Sequence, residues 1–388
     1  MHRFIVFIII FLNLGIAAAT PSLTGLSRVG NVITIIGSGF SSKTTPGPIF
    51  YDNFEDATTG QTINEYSDHW TDKSNEQVFS VIDTLQKVGS TKCVASPDVG
   101  VTTAEAWVNN VGFATTSKIL LHYWVRIDWG SGTADYYQLK QLTLCYNTEA
   151  NAASDYPAYA LFSWDNYHFP SEGGVCEYYW QMYYDGATPS ITHHYPDDAM
   201  NYPYTYYPID DAWVNVTLEL YQGTVGNEDA THVSWIVNPG RDYVTKKEVS
   251  NFLMLDVAEP INSIHLRGYL GVGGTSAYIY YDDIYVDNSW ARIEIGNNSS
   301  YDACTKRQIQ IASTWADTSV SFPISDEMFQ AGDTVYIFIV DINGVVNTNG
   351  YSYQLPQAAT VSTSAIVKAS TGASFVKASS GTTILKAQ

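Results

Sequence analysis

From Ile49 to Asn288 the chain alternates apolar and polar residues with a period of two, the signature of half-buried β-strands. The segments IFYDNFE, QVFSVID, KILLHYWVRIDW, YYQLKQLTLCYN and AYALFSWD fit this pattern. So do VCEYYWQMYY, AWVNVTLELYQG, HVSWIVN, SIHLRGYLGV and AYIYYDDIYVDN. Turn formers separate them, among them Gly130, Gly132, Asn147, Gly173, Gly174, Gly186, Gly223, Gly273 and Gly274. No stretch keeps the 3.6-residue period of a helix. So many half-apolar strands bury their faces by stacking two antiparallel sheets, so residues 49–289 are expected to form one large β-sandwich. The segment Ser190–Asp211, SITHHYPDDAMNYPYTYYPIDD, breaks the alternation and reads as a long binding loop.

Two shorter strand groups flank this region. Residues 20–48 hold a short strand, a Gly-Asn turn and the β-branched run VITIIGSGF; residues 290–355 hold ARIEIGN, QIQIAS, SVSFPI, GDTVYIFIVDINGVV and YSYQL. Neither group makes a sandwich alone, whereas together they supply about seven strands. Insertion is tolerated where the ends of a domain meet at its surface. Residues 49–289 are therefore expected to be inserted into a small split domain, and to fold when excised.

Two resemblances sharpen this. Gly30, Thr34, Ile35, Gly37 and Phe40 resemble the opening strand and turn of the IPT/TIG type of immunoglobulin-like domain. Tyr51–Glu55 (YDNFE) with Trp70, and Tyr280–Asn288 (YYDDIYVDN), resemble the first and last strands of concanavalin A-like jelly rolls. Together they imply an all-β chain: a large antiparallel jelly-roll β-sandwich inserted into a small Ig-like β-sandwich. The resemblance suggests fold far more than activity.

The first nineteen residues read as an export signal: Arg3, an apolar run from Phe4 to Leu14, and Ala17–Ala19 before the cleavage site. That run is too short to span a bilayer and no second one follows, so a secreted or surface-attached chain with no membrane span is expected. Residues 356–388 are rich in Ala, Ser and Thr and carry a nine-residue echo, AIVKASTGA, SFVKASSGT, TILKAQ, with Lys368, Lys377 and Lys386 in step. This tail reads as a flexible stalk, or as short strands that add to a partner's sheet and mediate self-assembly.

The net charge of −20 argues against nucleic acid, whose phosphates call for Lys and Arg. The 29 tyrosines and 10 tryptophans suit half-wet surfaces, such as one that stacks on sugar rings, or else pack within wide sheets. Four cysteines allow three pairings; Cys145 and Cys176, in neighbouring expected strands, are the pair favoured here.

Candidate chemistry divides three ways. Glycoside hydrolysis needs two flanking carboxylates, and the Glu-x-Asp-x-x-Glu run of concanavalin-like glucanases is missing. A polysaccharide lyase needs a cation against a uronate and a His or Tyr to move a proton; His122, Trp124, Arg126 and Asp128 share one strand face, as do Gln138 and Lys140, and His265 and Arg267. The same residues suit non-catalytic glycan binding. Val214, Val216, Leu218 and Leu220 then point inward, leaving Trp213, Asn215, Thr217, Glu219 and Tyr221 on the other face. The expected carbohydrate site comprises Trp124, Arg126, Lys140, Tyr179, Gln181, Trp213, Asn215, Glu219, His265 and Arg267. The jelly-roll resemblance further implies a structural Ca2+ where first and last strands meet, held by Glu55 and Asp282 with Asp52 or Asp283. The expected function is a secreted or cell-surface carbohydrate-binding or adhesion protein with a polysaccharide or glycan partner; the alternatives are a polysaccharide lyase or hydrolase and a structural component of a surface layer or fibre.

Overall fold

The computed structural model describes residues 20–67, 70–72, 79–96, 108–110, 117–129, 137–145, 158–166, 176–182, 191–195, 212–224, 227–252, 261, 263–270, 277–357, 367–368, 374–377 and 384–386. The export signal and most of the expected binding loop lie outside them. Strands β1 (Ser22–Val29) and β2 (Val32–Ser38) form a hairpin whose two-residue turn has Gly30 at φ +64°. The chain continues through β3 (Phe50–Asp52), the single helical turn α1 (Ile63–Tyr66), β4 (Trp70–Asp72), β5 (Ser80–Ile82), β6 (Cys93–Ala95) and β7 (Val108–Asn110). Longer strands follow: β8 (Lys118–Trp129), β9 (Tyr137–Cys145), β10 (Ala158–Asn166), β11 (Cys176–Met182) and β12 (Ile191–Tyr195). Next come β13 (Val214–Tyr221), β14 (Ala230–Asn238), β15 (Tyr243–Phe252), β16 (Ser263–Leu270) and β17 (Ala277–Asp287). The last group is β18 (Arg292–Gly296), β19 (Arg307–Gln310), β20 (Thr314–Ala316), β21 (Ser319–Pro323), β22 (Thr334–Val340) and β23 (Tyr351–Gln354), then β24 (Val367–Lys368), β25 (Ser374–Lys377) and β26 (Ile384–Lys386).

All described pairings are antiparallel. The large sandwich stacks an eight-stranded sheet, β15-β14-β13-β8-β17-β6-β5 with β3 joined to β17, on a seven-stranded sheet, β12-β11-β10-β9-β16-β7-β4. Its core takes Ile119, Leu121, Tyr123, Val125 and Ile127 from β8, and Val214, Val216, Leu218 and Leu220 from β13. Across from them stand Leu142, Leu144, Ile264 and Leu266 of the seven-stranded sheet. The alternation read along β13 is the alternation observed. Many tyrosines act as packing: Tyr123, Tyr281 and Tyr285 are buried.

The segments on either side of the large sandwich build one small sandwich. β2 pairs with β21, from Val32↔Pro323 to Ile36↔Ser319, giving the sheet β1-β2-β21-β20, which faces the sheet β19-β18-β22-β23. One core joins Ile33, Ile35 and Phe40 to Ile293, Ile295, Val320, Phe322, Ile337 and Ile339. The two junctions lie side by side, because Tyr51 of β3 pairs with Tyr285 of β17. At Gly37 a Cβ would lie 2.0 Å from the Ser22 carbonyl oxygen and 2.5 Å from the Phe40 ring. Gly37→Ala is expected to lower stability by about 2–3 kcal/mol through overpacking; an unchanged urea midpoint would refute this reading of the turn.

Two expectations are corrected here. Ser190–Asp211 is not loop throughout: Ile191–Tyr195 is the edge strand β12, paired with β11 from Tyr178↔Tyr195 to Met182↔Ile191. Pairing with a neighbour, invisible in local pattern, makes this short run a strand. The tail is not wholly stalk either, since β24, β25 and β26 form a three-stranded sheet.

Candidate functional site

The outer face of the eight-stranded sheet carries half of the expected sugar site, and it is covered by the small sandwich. Glu219 and Asn215 are only 4% and 1% exposed, and Trp124 is 4% exposed. Asn215 Nδ2 donates to the Arg307 carbonyl at 3.0 Å. Arg292 of β18 donates through Nη1 to Glu219 Oε1 at 2.6 Å and through Nε to Glu294 Oε1 at 2.5 Å, while the Tyr301 hydroxyl also donates to Glu294 Oε1 at 2.5 Å. The Arg307 guanidinium lies 4.2 Å from the Tyr301 ring centroid. Asn215 and Glu219 are thus interface residues rather than members of a wet groove, and Trp124 is buried with Lys87 over its ring at 5.8 Å. The expectation failed because alternation tells which face is not core, and a second domain can cover that face. An acceptor sequon at Asn215 is closed to a glycan for the same reason.

Burial drives the electrostatics of this interface. Burial raises Glu219, against the opposing pull of Arg292. Glu294 is pushed up by burial too, but Arg307 and Arg292 outweigh that and hold it down to about 2. His122, bonded through Nδ1 to the Thr217 hydroxyl at 2.8 Å, is lowered to about 4 by burial. It therefore sits here as a neutral ring in a structural role. Nearby, Arg126 is half-buried and bound to Asp128 at 2.8 and 2.9 Å, and Trp213 is half-buried.

The expected calcium ligands have other partners. Glu55 accepts from the Thr91 amide at 2.7 Å, the Thr91 hydroxyl and the Lys92 amide at 3.2 Å. Asp282 is fully buried in a β17 bulge where Asp283 takes φ +47°. The Lys87 ammonium stands 2.8 Å from Asp283, 3.2 Å from Glu327 and 4.0 Å from Asp282. Burial would lower Lys87, but Asp283, Asp282 and Glu327 together raise it. Burial, then the Asp283 charge, raises Asp282. Among the described residues no three His, Cys, Asp or Glu side chains converge as a metal site. These acids fit protein donors and an internal ammonium better than a divalent ion.

The other half of the expected site falls on the seven-stranded sheet, where backbone register assembles it. One row is Trp180, Phe162, Leu142 and Leu266, of which Leu142 and Leu266 are buried in the core. The next row along the strands belongs to the opposite face. It runs unbroken across all seven strands as Thr192, Gln181, Leu161, Thr143, His265, Asn109 and Thr71. A second row on that face is His194, Tyr179, Ser163, Lys140 and Tyr269. Gln181 and His265 therefore share one row, and Lys140 and Tyr179 the other. Arg267 falls in the register irregularity between Leu266 and Tyr269. Six gaps of ~4.8 Å make this face ~29 Å wide, enough for several sugar rings in line.

Register also corrects the disulfide. Cys145 lies opposite Ala158 and Cys176 opposite Asn166, at the two ends of β10. That separation is ~26 Å along the strand, far beyond disulfide reach. Cys93 and Cys304 are buried free thiols.

No protein-family profile matches the chain, and no curated protein sequence does. Among solved structures it is similar to an alginate lyase of the marine PL-14 type from Aplysia kurodai, at 9% identity over 62% of this chain and 98% of that one, with a TM-score of 0.42. It is also similar to lectin II from Ulex europaeus, at 10% identity over 62% and 99%, TM-score 0.35. A third is a carbohydrate esterase from the Shiga toxin-encoding bacteriophage phi24B, at 10% identity over 62% and 97%, TM-score 0.34. Likeness this distant says nothing of what this chain does. The residues that sequence reasoning passed over, Thr71, Asn109, Thr143, Ser163, Thr192, His194 and Tyr269, become a set only through register.

Proposed function

We propose that this is a secreted or surface-displayed protein that binds an extended polysaccharide across the seven-stranded sheet, on the face away from the core. The observation that carries the reading is the pair of register rows, which gather Thr, Asn, Gln, Ser, Lys, His and Tyr positions into a strip. Hydroxyl and amide groups match sugar hydroxyls, and tyrosine adds an apolar surface with a polar tip. Coverage of the eight-stranded sheet by the small sandwich leaves this as the face for a long ligand.

The whole chain, titrated calorimetrically with a panel of neutral and uronate-containing polysaccharides, tests the proposal. Binding to one class is expected, and Lys140→Ala or Tyr179→Ala should weaken it by ~10-fold or more, about 1.4 kcal/mol. Trp213→Ala, on the other sheet, should leave it unchanged. Binding that survives both seven-stranded-sheet variants, or that fails with every glycan, rejects the site.

The second reading, a polysaccharide lyase, is favoured by the nearness in register of Lys140, Tyr269 and His265. In β-elimination a base takes the proton next to the uronate carboxyl, an acid returns one to the leaving oxygen, and a cation neutralises the carboxylate. Growth of ultraviolet absorbance from an unsaturated sugar end, lost in His265→Ala, would establish this reading over simple binding.

A further inference from the structure

The tail sheet carries an inference about assembly. Its three strands come from one nine-residue echo, in which Ile366, Phe375 and Ile384 are equivalent, as are Val367, Val376 and Leu385, and Lys368, Lys377 and Lys386. The β25–β26 ladder joins Phe375↔Lys386, Val376↔Leu385 and Lys377↔Ile384. In echo positions the middle residue faces its own equivalent, and the two flanking positions exchange. This is the pattern that two copies of one strand make across a two-fold axis. In this ladder the echo is complementary to itself, with Lys377 and Lys386 set against Ile384 and Phe375 rather than against another lysine, whereas the β24–β25 ladder takes a shifted register, Val367↔Phe375 and Lys368↔Ser374. Like charges directly opposite would oppose pairing.

The order β24-β25-β26 leaves β26 at an edge with no further neighbour among the described residues. An edge strand presents unpaired N–H and C=O groups, a template for another strand. We propose that β26 pairs with β26 of a second copy of this chain, through Ile384↔Lys386, Leu385↔Leu385 and Lys386↔Ile384, making a continuous six-stranded sheet. Such a contact is isologous and closes at the dimer. The occupant of the edge is a second copy because the chain already shows the same ladder formed between two of its own echoes.

Leu385 is its own partner in this arrangement, which gives a direct test. In the full chain, Leu385→Cys under mild oxidation should yield a covalent dimer of doubled mass, while Val376→Cys and the unsubstituted chain should not. Sedimentation of the unsubstituted chain should show a monomer–dimer equilibrium that Leu385→Pro abolishes, with the thermal unfolding of both sandwiches unchanged. A monomer at every concentration with no 385–385 cross-link overturns the proposal. A dimer that survives Leu385→Pro, or growth into polymers, overturns it too, since the first places the contact elsewhere and the second contradicts closure.

Discussion

Replacing Arg292 with methionine is expected to lower the unfolding free energy by about 3–5 kcal/mol. Arg292 is fully buried and is the shared partner of Glu219 from the large sandwich and Glu294 from the small one. Without it, two carboxylates remain in a low-dielectric interface, one of them already raised by burial. Leaving a buried charge unpaired is the severe case; removing the matched charges together is far milder. Arg292→Met combined with Glu219→Gln should therefore recover part of the loss. Urea denaturation followed by tryptophan fluorescence measures both, because Trp235 packs against Tyr301 at this interface. A loss below about 1 kcal/mol for the single variant, within the range of exposed ion pairs, would show the interface to be wet and loosely held.

Acid is expected to weaken the fold through His122. The unfolded chain takes up the proton near pH 6.5, whereas the buried ring does so only near 4. Between these values the unfolded state binds more protons, so stability is complete above about 6.5 and falls as the pH drops toward 4. The shift corresponds to about 3 kcal/mol across that window. Glu219 and Asp282, both raised by burial, act in the opposite direction over part of the same range. The measurement is accordingly a difference: the urea midpoints of the unsubstituted chain and of His122→Asn, compared from pH 7 down to 4. The unsubstituted chain should lose the additional stability in acid. Parallel curves would mean that water reaches the ring and that it titrates normally.

Local pattern carried much of this architecture. Strands β8 to β11, β13, β14, β16 and β17 lie where alternation placed them, whereas β12 and β15 were not read as strands, and β13 points Val214, Val216, Leu218 and Leu220 inward as expected. The site was legible only by halves. Lys140, Tyr179, Gln181 and His265 fall together because they sit on β9, β11 and β16 of one sheet, but their alignment depends on register and on an irregularity in β16, which no local rule supplies. Asn215 and Glu219 read as a solvated groove because their strand alternates correctly; that Arg292 and Arg307 come down on them is a tertiary fact. Burial of that face also changes the expectation for the excised 49–289 region. It would expose Trp235 and Leu120, which pack against Tyr301 and Ile309 of the small sandwich, and leave Glu219 without its arginine.

The pairing of β2 with β21 has a consequence for biogenesis. Val32 must wait for Pro323, about 290 residues further along, before its strand has a neighbour on that side. Synthesis delivers the amino-terminal hairpin first and withholds its partner until nearly the whole polypeptide has emerged. The large sandwich therefore has time to form while the hairpin stands unfinished, and the small domain closes last, upon the face it is to cover. Chain arrest before residue 319 would strand that face in the open, and chaperone capture should be heaviest in that interval.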